Sequence, residues 1–128
     1  MDDPMEKRHN VLMVEDEKEI LGFFGDILDH YEHVRFFKAM SGPEALAITA
    51  REKPEVILLD VRVPGFEGQR ALKELKMIVP GVKVVVMTGW NDAMIRQKFE
   101  RDPSVRAYFT KPVDLEEVVE KILNLIQT

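Results

Sequence analysis

The sequence contains no cysteine, which removes disulfides, thiolate catalysis and cysteine-bound zinc from its possible chemistry. It also lacks any apolar run long enough for a signal-peptide core or a membrane span, and its opening, MDDPMEKRHN, is polar. Positive charge is in deficit. The net charge of -5 argues against a chain that itself grips a nucleic-acid backbone or an anionic membrane. Linker-like stretches, internal repeats and low-complexity tracts are missing as well. These absences suit a soluble protein of the reducing cytoplasm. What remains, 128 residues with 45% apolar and 32% charged side chains, is the composition of one globular domain. A chain of this length can bury roughly two thirds of its unfolded surface.

Short apolar runs alternate with segments of helical period. Strands are predicted at Val11–Val14, Val34–Phe37, Val56–Leu59, Val82–Met87 and Val105–Phe109, several of them apolar throughout, as expected of parallel strands covered on both faces. A first helix from about Lys18 to His30 places Ile20, Phe23, Phe24, Ile27 and Leu28 on one face. A second opens at SGPE, where Ser41 can cap and Glu44 can reach back. Leu72, Leu75 and Val79 mark a third, and Ile95 with Phe99 a shorter fourth. The last begins at DLEE, with Asp114 and Glu117 as cap and box, and carries Leu115, Val118, Val119, Ile122 and Ile126 on one side. Five repeats of strand and helix predict an α/β fold, an open, doubly wound parallel sheet of (βα)5 type between two helical layers.

In such sheets ligands gather beyond the carboxyl ends of the strands. The run VLMVEDEKEI ends the first strand in Glu15 and Asp16. The third ends in Asp60, the fourth in Thr88, and the fifth in Thr110 and Lys111. Adjacent carboxylates at the end of a buried strand repel one another and resist desolvation, so a cation is expected among them. Hard oxygen donors without cysteine or converging histidine suggest Mg2+, or Mn2+, rather than zinc. With Asp60 as nucleophile, the set also suits formation of an aspartyl phosphate, a reaction in which the protein mainly positions groups and neutralises charge.

Each residue has a plainer reading when taken alone. Acids such as Glu15 and Asp16 favour a helix entry, and Asp60 suits the turn before a proline–glycine loop. Thr88 can cap a helix, Lys111 can be a solvated lysine, and Tyr108 an amphipathic edge residue. His30 and His33 have metal-like spacing but fall between helix and strand, where surface or cap roles are expected. Four coincidences at successive strand ends favour the joint reading.

In order, spacing and strand position the set resembles the receiver domain of two-component response regulators, the chemotaxis regulator being its single-domain form. The similarity runs from about Asn10 to Ile126, leaving residues 1–9 as a polar extension and 10–128 as the receiver domain. It implies a flavodoxin-like strand order of 2-1-3-4-5, with Asp60 as phosphoacceptor in VILLDVRVPGFEG. Glu15, Asp16, Asp60 and the backbone carbonyl of Arg62 would bind magnesium. Thr88 and Lys111 would contact the phosphoryl group, and Tyr108 would be the aromatic switch. The Lys111–Pro112 bond would be cis. Pro64 and Gly68 sit at the family's offsets, while Glu15 and Val63 stand where Asp and Met are common. Arg62 and Trp90 occupy the positions that flank an attacking water and would tune the lifetime of the phosphoryl group. The implied partners are a sensor histidine kinase or histidine phosphotransfer protein and, downstream, a target protein or an output domain. Direct contact with nucleic acid or membrane is not expected, and dimerisation on phosphorylation would use the fourth helix with the fifth strand and helix.

Rival readings predict different residues. A haloacid dehalogenase-type phosphatase places its nucleophile on the first strand with a general acid two residues later, a position occupied here by Arg62. A flavodoxin-like binding module needs a glycine- and hydroxyl-rich phosphate loop after the first strand, where this chain has EDEKE. A receiver that is never phosphorylated and serves only for docking would not need the complete residue set. Multiple turnover on a separate substrate is not expected.

Overall fold

Strand and helix alternate through ten elements in the computed structural model, which describes residues 8–62, 68–89 and 93–126. They are β1 (His9–Val14), α1 (Lys18–Leu28), β2 (Val34–Ala39), α2 (Gly42–Glu52), β3 (Val56–Asp60), α3 (Gly68–Ile78), β4 (Lys83–Thr88), α4 (Ala93–Glu100), β5 (Val105–Thr110) and α5 (Leu115–Ile126). The five strands form one parallel sheet in the order β2-β1-β3-β4-β5. This is the doubly wound, flavodoxin-like arrangement expected from the sequence.

The uninterrupted apolar strands follow from burial on both faces. In β1, Leu12 and Val14 join Ile57, Leu59, Val84 and Val86 in a core closed by Ala45 and Ile48 of α2, Leu72 and Leu75 of α3, and Phe99 of α4. Val11 and Met13 point the other way, with Leu58, Val85 and Met87, into a core closed by Leu21, Phe24 and Leu28 of α1 and Val118, Val119 and Ile122 of α5. Strand periodicity therefore divides one sequence run between two cores. Truncating a wholly buried member such as Ile122 to alanine should cost about 2–5 kcal/mol.

The entries of α2 and α5 are fixed by side chains. Ser41 accepts a hydrogen bond from the Glu44 N–H at 3.3 Å, while the Glu44 carboxylate accepts from the Met40 N–H at 3.0 Å, one residue upstream of the expected reach. Asp114 Oδ1 accepts from the N–H groups of Glu116 and Glu117 at 3.0 and 3.3 Å, fixing the start of α5 next to the site.

The face of α1 differs from the expected one. Leu21, Phe24, Gly25 and Leu28 are buried, whereas Phe23 is 55% exposed. Gly25 faces β2 because Lys38 lies against it: a Cβ there would sit 3.2 Å from Lys38 Cε and Nζ. β1 begins at His9, ahead of the strand start read from the sequence at Val11. His30 donates locally from Nδ1 to the Asp26 carbonyl at 2.7 Å, and the His33 ring meets those of His9 and Tyr31 edge-on. Among the described residues no helix is long and apolar enough to cross a membrane.

Candidate functional site

After β1 the chain leads through α1 to β2, on one side of β1, and after β2 it returns through α2 to β3 on the other. The carboxyl ends of β1 and β3 therefore flank the point where strand order reverses, and a crevice opens there. Asp60 ends β3, and Glu15 follows β1 directly, its N–H held by the Ala39 carbonyl at 2.9 Å. β4 adds Thr88 and Gly89, and β5 leads into Lys111. A cleft of about 260 Å3 results, lined by Asp16, Glu17, Asp60, Arg62, Gly89 and Lys111.

Lys111 is the hub. Its Nζ donates to Glu15 Oε1 at 2.7 Å and to Asp60 Oδ2 at 2.9 Å. Asp60 Oδ1 accepts the Arg62 backbone N–H at 2.9 Å, so both oxygens of this carboxylate are oriented. Glu15 is wholly buried and its second oxygen accepts the Glu17 N–H at 3.2 Å. Asp60 is buried, at 4% exposure, while Asp16 is exposed.

The electrostatics follow from this packing. Burial pushes the Glu15 carboxyl above its ordinary range; the hydrogen bond from Lys111 opposes the rise and the charge of Asp60 adds to it. For Lys111, burial works toward a lower value. Its hydrogen bonds to Glu15 and Asp60 and the charges of both carboxylates prevail, holding the ammonium above its ordinary range. Lys111 thus remains a cation throughout the physiological range.

The donor set fits a divalent cation. Glu15, Asp16 and Asp60 each offer a carboxylate oxygen, and these oxygens lie within 4.8 Å of one another. Three carboxylates against one ammonium leave two negative charges. An all-oxygen set of this size suits magnesium or manganese. Glu15 and Asp60 are both engaged by Lys111, which leaves the exposed Asp16 as the most open donor.

Of the residues singled out in the sequence, Asp16, Asp60, Arg62 and Lys111 line the cleft, and Glu15 lies beneath it, bonded to Lys111. Thr88 is wholly buried, one residue before Gly89, and its carbonyl accepts the Lys111 N–H at 2.8 Å. The Lys111–Pro112 peptide bond is cis. Tyr108 is not at the cleft. Its ring packs in the α2–α3–α4 core, 6.5 Å from that of Phe99, with the Arg96 guanidinium 5.1 Å from its centroid. Trp90, Val63 and Pro64 lie outside the described residues, as does the side chain of Ile95. Sequence reasoning passed over Glu17 and Gly89 as cleft residues. Glu17 stood in the EDEKE run, but nothing in its local pattern separates it from a solvated helix entry. The Arg62 guanidinium also leans toward β4: a Cβ on Gly89 would lie 3.9 Å from its Nη1.

Known proteins share this fold. The family model described as response regulator receiver domain matches residues 11–123. The chain is 29% identical over 112 residues to sporulation initiation phosphotransferase F of Bacillus subtilis, covering 88% of this chain and 89% of that protein. It is likewise 29% identical over 118 residues to protein PilH of Pseudomonas aeruginosa, covering 91% of this chain and 95% of the other. A CheY-like response regulator receiver domain protein from Methanospirillum hungatei superposes with a TM-score of 0.81 at 28% identity, over 94% of this chain and 95% of that one. A crevice of buried acid and clamped lysine at the switch point of a 2-1-3-4-5 sheet is thus joined to a family match spanning nearly all of the domain, and the chain belongs to the response regulator receiver domains.

Proposed function

We propose that Asp60 accepts a phosphoryl group from a phosphohistidine partner and that the modified domain changes its protein-binding surface. The observation that carries this reading is the buried Asp60 carboxylate, oriented by Lys111 on one oxygen and the Arg62 N–H on the other, at a cleft with two further acids. One Asp60 oxygen forms a bond to phosphorus as the phosphorus–nitrogen bond breaks, and the electron pair departs with the imidazole, which takes a proton from solvent. Lys111 neutralises charge on the transferred group, and the Thr88 hydroxyl donates a hydrogen bond to one of its oxygens. Asp16 and Asp60, with Glu15 and the Arg62 carbonyl, hold Mg2+ or Mn2+. When bound, such an ion supplies charge neutralisation and orientation of phosphoryl oxygens. Receiver domains are not in general multiple-turnover enzymes, and no general acid stands two residues after Asp60, where a phosphatase would need one.

Receiver domains interact with histidine kinases and downstream effectors. Beside the cleft runs a second groove of about 550 Å3, whose lining includes Ile20, Phe23, Met87, Pro112, Val113 and Leu115. It shares Glu17, Gly89 and Lys111 with the cleft, so a helix of a kinase or histidine phosphotransfer protein seated there brings its phosphohistidine to Asp60. Tyr108 is the switch that reports Asp60 to the α4–β5–α5 surface, where a target, an output domain or a second copy binds. Arg62 and Trp90 slow hydrolysis of the phosphoryl group. The protein works in the cytoplasm, without direct contact to nucleic acid or membrane.

The test is intact mass after incubation with acetyl phosphate and magnesium. One phosphoryl group should be gained, and none by Asp60→Asn. Unchanged labelling of that variant would remove Asp60 from the role.

A further inference from the structure

The helix α4 is eight residues long, and most of its surface is exposed, including Met94 at 70%. On β5, two of its side chains meet Tyr108. Phe99, wholly enclosed at 2% exposure, meets the Tyr108 ring at a centroid distance of 6.5 Å with the planes tilted by 45°. Three residues earlier on the same helical face, Arg96 sets its guanidinium 5.1 Å from the centroid of that ring. Arg96 is itself aimed from the next turn, its Nε donating to Glu100 Oε1 at 2.6 Å. Tyr108 is thus held between a buried aromatic and a cation, both from α4.

We propose that Arg96 is a positioning residue that ties Tyr108 to α4 and sets how readily the α4–β5 surface leaves the arrangement seen here; the inference rests on the switch role given to Tyr108 above. A cation over an aromatic face at a partly exposed site changes an equilibrium by about two- to fivefold. That contact exists only while ring and helix keep this relation, so it weights the equilibrium toward the present arrangement. Here Lys111 is bound to both Glu15 and Asp60, the arrangement that precedes transfer in the proposed function. Arg96 therefore acts as a brake on switching, and its removal makes the surface easier to switch without touching the cleft.

The experiment uses protein labelled with 3-fluorotyrosine, in which the two tyrosines, Tyr31 and Tyr108, are told apart by a Tyr31→Phe control. The 19F shift of Tyr108 is followed as beryllofluoride, a phosphoryl analogue, is added with magnesium. In Arg96→Ala the titration midpoint should fall about two- to fivefold. Arg96→Met, which keeps length but not charge, should behave like the alanine variant, and Arg96→Lys should restore much of the wild-type midpoint. A midpoint unchanged in Arg96→Ala, or a wild-type midpoint in Arg96→Met, overturns the inference while leaving the switch role intact. A Tyr108 resonance that ignores beryllofluoride in the wild type overturns the switch role and the inference with it.

Discussion

Replacing Lys111 with methionine removes a cation bonded to two buried carboxylates while keeping most of the side chain's volume. Glu15 is wholly buried and Asp60 nearly so, and the lysine that bridges them is 17% exposed along its side chain. Breaking a buried ion pair costs about 3–5 kcal/mol when the remaining charge cannot be solvated. Because this pair borders a cleft that admits water, the cost at pH 7 should be about 2–3 kcal/mol. In urea that corresponds to a midpoint lower by about 1–2 M. The loss should depend on pH in a stated sense. The Glu15 carboxyl is raised by burial in the folded protein, so the folded state binds more protons than the unfolded one above the ordinary value of 4.5. Stability from that group is present at low pH and lost as pH rises through the folded value. Without Lys111 the rise is larger, so the deficit of the variant should shrink toward pH 5 and grow toward pH 7. Magnesium should recover part of it, with sodium chloride of equal ionic strength as control. Wild-type and variant midpoints that coincide at pH 7, or a deficit independent of pH, would refute the claim that Lys111 compensates these two carboxylates.

Asp102 accepts from Lys76 Nζ at 2.9 Å on each oxygen and from the Ser104 N–H and hydroxyl, so Asp102→Ala should cost about 1–2 kcal/mol by urea unfolding. Although burial works upward, those bonds hold its carboxyl below the ordinary 3.8, so the contribution is present above that value and fades as pH falls through the folded one. Lys83 Nζ donates to the Leu125 carbonyl at 2.6 Å, at the carboxyl end of α5, and Lys83→Met should cost about 1–2 kcal/mol and speed amide exchange in the last turn of that helix. Phe23→Ser should change stability by less than about 0.5 kcal/mol yet slow phosphotransfer from a histidine-phosphorylated donor several-fold, with labelling by acetyl phosphate unaltered. Arg62→Ala and Trp90→Ala should each hasten loss of a bound phosphoryl group in a decay assay at matched magnesium.

The sheet was legible because three of its strands are too apolar for one-sided burial, and the converging strand ends followed from the sheet. The face of α1 was not legible to the same degree. Phe23 and Phe24 both fit an apolar stripe, and helical period leaves that choice open by one position; Lys38, 13 residues beyond Gly25, decides it by occupying the space over the glycine. The union of Glu15 with Lys111 spans 96 residues, and the seat of Tyr108 beneath Arg96 depends on how α4 meets β5. Local pattern carries neither distance. Glu15 in particular read as an open ligand beside Asp16, whereas its burial commits it first to the lysine.

The most direct test of the central claim is to phosphorylate the protein with acetyl phosphate and magnesium, reduce it with borohydride, and map the product by peptide mass spectrometry. Hydride converts an aspartyl phosphate to homoserine and leaves free aspartate unchanged. Homoserine at position 60, absent when the phosphodonor is omitted, is the expected result. An unreduced Asp60 in protein that has gained a phosphoryl group, with the change mapped to Asp16 or elsewhere, would contradict the account.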